Sequence, residues 1–132
     1  MAFILTSKHG EDLQVNAWNW RPTLELLHHE RVLDAEQYER LGLHSTGVGL
    51  VDEALAQRIA DVLDRRLAAW SMKAGDRMLA DLSLASEKKK PVVFTPGGNA
   101  ESIDGNDLYS ASYEWLATFR DFCRRCGGFD VC

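Results

Sequence analysis

Cysteine, proline and basic charge are all scarce in this chain of 132 residues, and each shortage narrows the reading. The cysteines, Cys123, Cys126 and Cys132, crowd the end of the chain and are odd in number, so they make no disulfide framework and suit a reduced compartment. Basic residues number 15 against 20 acidic ones, for a net charge of -5. Nucleic-acid affinity comes mostly from cations that neutralise phosphates, so this balance disfavours duplex binding. No apolar run approaches the roughly 18 residues that span a bilayer, and residues 1–6 lack a basic leader. The expectation is a cytoplasmic protein with no membrane partner. The motifs of common chemistries are missing too: there is no GxSxG elbow, no phosphate-loop lysine and no carboxylate isolated among apolar neighbours.

What the chain does have is enough apolar material to fold. Apolar residues make up 45% of it, and a domain of this size buries roughly two-thirds of its unfolded surface. The clearest pattern lies at 52–69, where Leu55, Ile59, Val62, Leu63 and Leu67, continuing to Trp70, form one helical stripe. A second helix is expected at 110–126, with Trp115, Leu116, Phe119, Phe122, Cys123 and Cys126 on its apolar side. Ser110 or Ser112 would cap it, and Asp121 would pair with Arg125 four residues on. Asp34 with Gln37 reads as a capping box, flanked by Leu33 and Tyr38 as a hydrophobic staple. Pro22 suits a first helical position, and Met78, Leu79 and Leu82 suggest a helix at 76–84. Extended segments are expected at 3–6 and 13–20, with a short strand at 91–95. The loop at 86–106 is read as mobile. The fold class these pieces predict is mainly α with a small β element, an α+β single compact domain over residues 1–132.

Each candidate for chemistry has a plainer structural reading beside it. Cys123 and Cys126 have the spacing of half a zinc site, which Cys132 and a histidine would complete. A second pair is lacking, and the helical stripe accounts for both thiols as core residues. His28 and His29 diverge by about 100° on a helix, so they do not readily share a metal. The glycines of 47–49 precede a helix but are followed by Asp52 and Glu53, which would repel phosphate. The segment Trp18-Asn19-Trp20-Arg21-Pro22 is rich in the residue types that anchor interfaces, and equally in those that close a core.

Three stretches together resemble a known pattern: the opening Trp18-Asn19-Trp20-Arg21-Pro22-Thr23-Leu24, the turn Gly47-Val48-Gly49-Leu50-Val51 before the long helix, and the tail running from Trp115 through Phe119, Phe122 and Cys123 to Gly127, Gly128, Phe129 and Cys132. The combination is similar to a group of small uncharacterised bacterial proteins and spans most of the chain. The resemblance implies a bacterial cytoplasmic protein and transfers no catalytic residue. Cys126 stands where that tail reads serine, which implies that the position need not be a ligand.

The sequence therefore names no activity. It favours a non-catalytic binding or interaction protein, partnered by another protein or by itself, with no cofactor. Trp18, Trp20, Arg21 and His44 are the candidate contact residues. The alternatives are a structural zinc protein using Cys123, Cys126 and Cys132, and an enzyme with a dispersed site near His44.

Overall fold

The computed structural model describes residues 2–42, 51–79, 82–86 and 110–131. The chain begins with a hairpin of β1 (Ala2–Ser7) and β2 (Asp12–Asn16), turning at Gly10 with φ +88°. Helices α1 (Ala17–His29) and α2 (Ala35–Leu41) follow, and then β3 (Val51–Asp52) and α3 (Glu53–Ala69). A second hairpin pairs β4 (Asp76–Leu79) with β5 (Leu84–Ser86). The described chain ends with β6 (Ser110–Ser112), α4 (Tyr113–Arg125) and β7 (Gly128–Val131). The described strands make two antiparallel sheets, ordered β2-β1-β7-β3 and β5-β4-β6.

The expectation of a mainly α fold is therefore corrected: this is a mixed α+β architecture with two antiparallel sheets. The strands run from two to six residues, too short for period-two alternation to stand out against helical spacing. Residues 76–84 show the confusion best. Their apolar positions fit a helix, but Met78 enters the core from β4 while Leu82, at φ +70°, turns the chain into β5. The tail after Gly127 is also a strand, paired with both β1 and β3. Helix α1 starts five residues before Pro22, because Asn16 caps it by accepting the Asn19 N–H at 3.0 Å. Trp18 and Trp20 thus stand on a helix, where the sequence suggested an extended segment.

Three strand-to-helix junctions share one device. Asn16, Asp52 and Ser112 each end a strand and cap the helix that follows. Asp52 accepts the Leu55 N–H at 2.8 Å and Ser112 accepts that of Trp115 at 3.0 Å, satisfying donors that a helix start otherwise leaves unpaired. Because no loop intervenes, each helix is aimed directly by the strand before it. The side-chain alternation of β1 and β2 sends Phe3, Leu5 and Val15 inward and leaves Ile4 on the outer face.

The core is built from aromatic rings. Trp20 meets Phe119 edge-on at 5.5 Å and Trp115 at 6.3 Å, and Phe119 stacks on Trp115 at 5.2 Å. Phe129 of β7 extends the cluster to Phe122 at 5.8 Å. Polar atoms of the opening motif lock it in place. The Trp20 indole donates to the Leu41 carbonyl at 2.9 Å, and the Trp115 indole donates to Thr23 Oγ1 at 2.9 Å. Asn19 Oδ1 accepts the Ser112 N–H at 3.1 Å, tying α1 to the start of α4. Most of this tryptophan-rich opening is thus a structural clamp.

Helices α3 and α4 pack side by side, with a charged seam at their exposed edge. Arg124 binds Asp61 at 2.7 Å and also Asp64, and Arg120 reaches Asp64 at 3.1 Å. The expected Asp121–Arg125 pair is replaced: Asp121 bonds Arg120, while Arg125 forks onto Glu11 at 2.7 and 2.8 Å. A bidentate carboxylate across the molecule outcompetes an i, i+4 neighbour on the same helix.

Candidate functional site

Helix α1 ends in a Schellman turn. The Arg31 N–H donates to the His28 carbonyl at 3.0 Å and the Val32 N–H to that of Leu27 at 3.0 Å. That turn needs a left-handed residue, usually glycine, and here it is Arg31 with φ +61°. The chain then drops Val32 and Leu33 into the core and reaches Asp34, which caps α2 in the expected box. Gln37 N–H donates to Asp34 Oδ1 at 2.8 Å and the Asp34 N–H to Gln37 Oε1 at 3.0 Å.

Facing this turn is the first half of α3. Between them lies an open cleft of about 730 Å³. His28, His29 and Arg31 border it from the α1 end, Asp34 and Gln37 from α2, and Asp52 and Arg58 from the α3 side. Val32, Leu33 and Leu55, all buried, supply its apolar lining. The volume is within the range of small-molecule sites, roughly 300–1,000 Å³.

The charges around the cleft are unevenly engaged. Asp34 and Asp52 each cap a helix. Glu30, beside Arg31 in the chain, turns away to pair with Arg66, and with Arg65 at 3.4 Å; the Arg66 guanidinium holds its carboxyl below the usual glutamate range. Arg66 lies in turn over the Trp70 ring at 5.2 Å. His28 stacks on Tyr38 at 4.5 Å, and the Tyr38 hydroxyl donates to Glu25. Burial first, and that hydrogen bond second, push the Tyr38 hydroxyl up to about 12. Arg31 and Arg58 differ from every other arginine: among the described residues neither side chain has an ion pair or hydrogen bond.

The residues singled out in the sequence are scattered by the fold. Trp18 is 46% exposed at the head of α1, with Arg21 exposed one turn further on. Trp20 is 1% exposed and belongs to the core, so it is removed from that surface. His44 and Cys132 lie outside the described residues, as do residues 87–109, which include most of the 86–106 loop and the 91–95 segment. Cys123 and Cys126 are buried, and burial pushes both thiols up from their ordinary range. The Cys126 thiol donates to the Cys123 carbonyl at 3.6 Å and accepts the Gly128 N–H at 3.3 Å. No group of three His, Cys, Asp or Glu side chains gathers into a ligand set among the described residues.

Sequence reasoning missed the cleft because no local pattern announces it. Arg58 lies away from the apolar stripe of α3, as a solvated position does, and Arg31 belongs to no pattern in the sequence. Comparison with family models, with curated proteins and with solved structures finds no match, so none of them bears on the resemblance carried by the opening and tail motifs.

Proposed function

We propose that this protein is a non-catalytic binding module that holds a small organic ligand in the cleft between the end of α1 and the start of α3. The observation that carries the reading is the cleft itself, an open space of about 730 Å³ with an apolar lining and a charged border. Its described lining contains no Ser, Thr, Cys or Lys, and its carboxylates are engaged as helix caps, so His28 and His29 are the lining groups left for acid–base or nucleophilic work. Amide NMR spectra recorded with a diverse set of small organic molecules test it. Shifts should converge on residues 28–37 and 52–58 and vanish in Ala54→Trp, which places an indole at the border of the cleft. Shifts that scatter over the surface, or that survive this variant, would defeat the reading.

A second reading, a protein partner seated on α1, is favoured by Trp18. A tryptophan 46% exposed, one turn from an exposed arginine, has the chemistry of an interface anchor. A photo-crosslinking residue in place of Trp18 should yield one discrete adduct in the native host, and one in place of Glu39 on the exposed side of α2 should not. Equal yields at the two positions would count against it.

A further inference from the structure

Resting on the cleft as a binding site, we infer that its ligand is an organic anion whose carboxylate or phosphate group is held by Arg31 and Arg58. In a protein of net charge -5, arginines should find carboxylates easily, and all the others have a partner. The two without one come from segments 27 residues apart in the sequence, yet they border the same cleft. Guanidinium groups match the planar fork of a carboxylate and the oxygens of a phosphate equally well, so that shared oxyanion chemistry is what the pair selects.

The neighbouring carboxylates are engaged elsewhere. The carboxylate nearest Arg31 in the chain, Glu30, is drawn off by Arg66 and Arg65. Asp34 and Asp52 are directed at the N–H groups of their own helices, and His28 and His29 add ring nitrogens on the α1 side. Val32, Leu33 and Leu55 beneath the charges call for an apolar body behind the anionic head, which separates an organic anion from inorganic phosphate.

The test compares four probes on the full chain at low salt: phenyl phosphate, phenylacetate, inorganic phosphate and the uncharged benzyl alcohol. Phenyl phosphate or phenylacetate should move the amides of residues 31–34 and 54–58 and bind at least tenfold more tightly than benzyl alcohol or inorganic phosphate. The stronger of the two anions identifies the head group. Arg58→Gln on the exposed face of α3, and Arg31→Gly, which keeps the turn, should each weaken that binding roughly tenfold, the loss expected for one charge-assisted hydrogen bond. Equal binding of benzyl alcohol, or anion binding indifferent to both variants, would overturn the anion assignment and leave the cleft as a site. No shift at the cleft with any probe, together with none in the broader set, would overturn both.

Discussion

Among the described residues, two helices end on left-handed residues that are not glycine, and the cost of that choice is measurable. Ser71 closes α3 as Arg31 closes α1: at φ +51° its N–H donates to the Ala68 carbonyl at 3.1 Å, and the Met72 N–H to that of Leu67 at 3.1 Å. Ser71→Gly should therefore raise stability by about 0.5–1 kcal/mol in denaturant melts, since the turn is kept and the Cβ clash is removed. The reverse holds at Gly128, where φ is +112° and an added Cβ would come within 2.8 Å of the Val51 carbonyl oxygen. That oxygen belongs to the backbone of the paired strand and cannot step aside, so Gly128→Ala should destabilise by about 1–3 kcal/mol, and the same melts read it. Trp20→Phe should cost about 2–4 kcal/mol, because it both shrinks a fully buried side chain and strips the Leu41 carbonyl of its indole donor.

Helix by helix, the caps decide where structure begins. Asp52→Ala removes the acceptor for the Leu55 N–H and should cost about 1 kcal/mol. Asp34→Ala acts on a helix of only seven residues, α2, held by its capping box and by the Trp20 indole at its far end. There the same loss should appear first as faster amide exchange confined to residues 35–41, before any change in the global melt. These helix starts were legible beforehand. Asp34 with Gln37, Asp52 before the Leu55 to Leu67 stripe, and Ser110 or Ser112 before Trp115, of which Ser112 is the cap, are all local patterns, complete within a few residues or one periodic run. The strands were less legible. Val51–Asp52 and Ser110–Ser112 carry no pattern of their own, and each is a strand only because a partner strand lies beside it. The cleft was not legible at all, since its two sides come together only in the folded chain.

The whole molecule's response to pH follows from its long-range pairs. Arg66 beside Glu30 and Arg124 beside Asp64 hold those carboxyls below their ordinary values of 4.5 and 3.8, and Arg125 does the same for Glu11. A depressed carboxyl contributes stability that is complete above its unfolded value and is lost as pH falls through the folded one. Denaturant midpoints should thus stay level from neutrality to about pH 5 and decline below it. The decline should be modest, because Asp64 and Glu11 are 45% and 46% exposed and water screens their pairs. At the alkaline end the sign reverses. Tyr38 is raised from 10.0 to about 12, so its contribution is complete below pH 10 and disappears as pH climbs through about 12. Tyrosinate absorbance should show one of the chain's tyrosines ionising late, and Tyr38→Phe should abolish that late step.

By itself the sequence determined what depends on neighbours along the chain: the long stripe of α3, the apolar side of α4, the capping box of α2, and the placing of Cys123 and Cys126 on a buried face. These follow from helical periodicity and from donors and acceptors a few residues apart. Tertiary structure alone decided the rest. It chose Glu11, 114 residues away, over Asp121 as the partner of Arg125, and it buried Trp20 while leaving Trp18 at the surface two residues earlier. It also brought Arg31 and Arg58 to one cleft without partners. Such outcomes rest on which surfaces dock. An exposed arginine or tryptophan carries the same local signal whatever lies across from it.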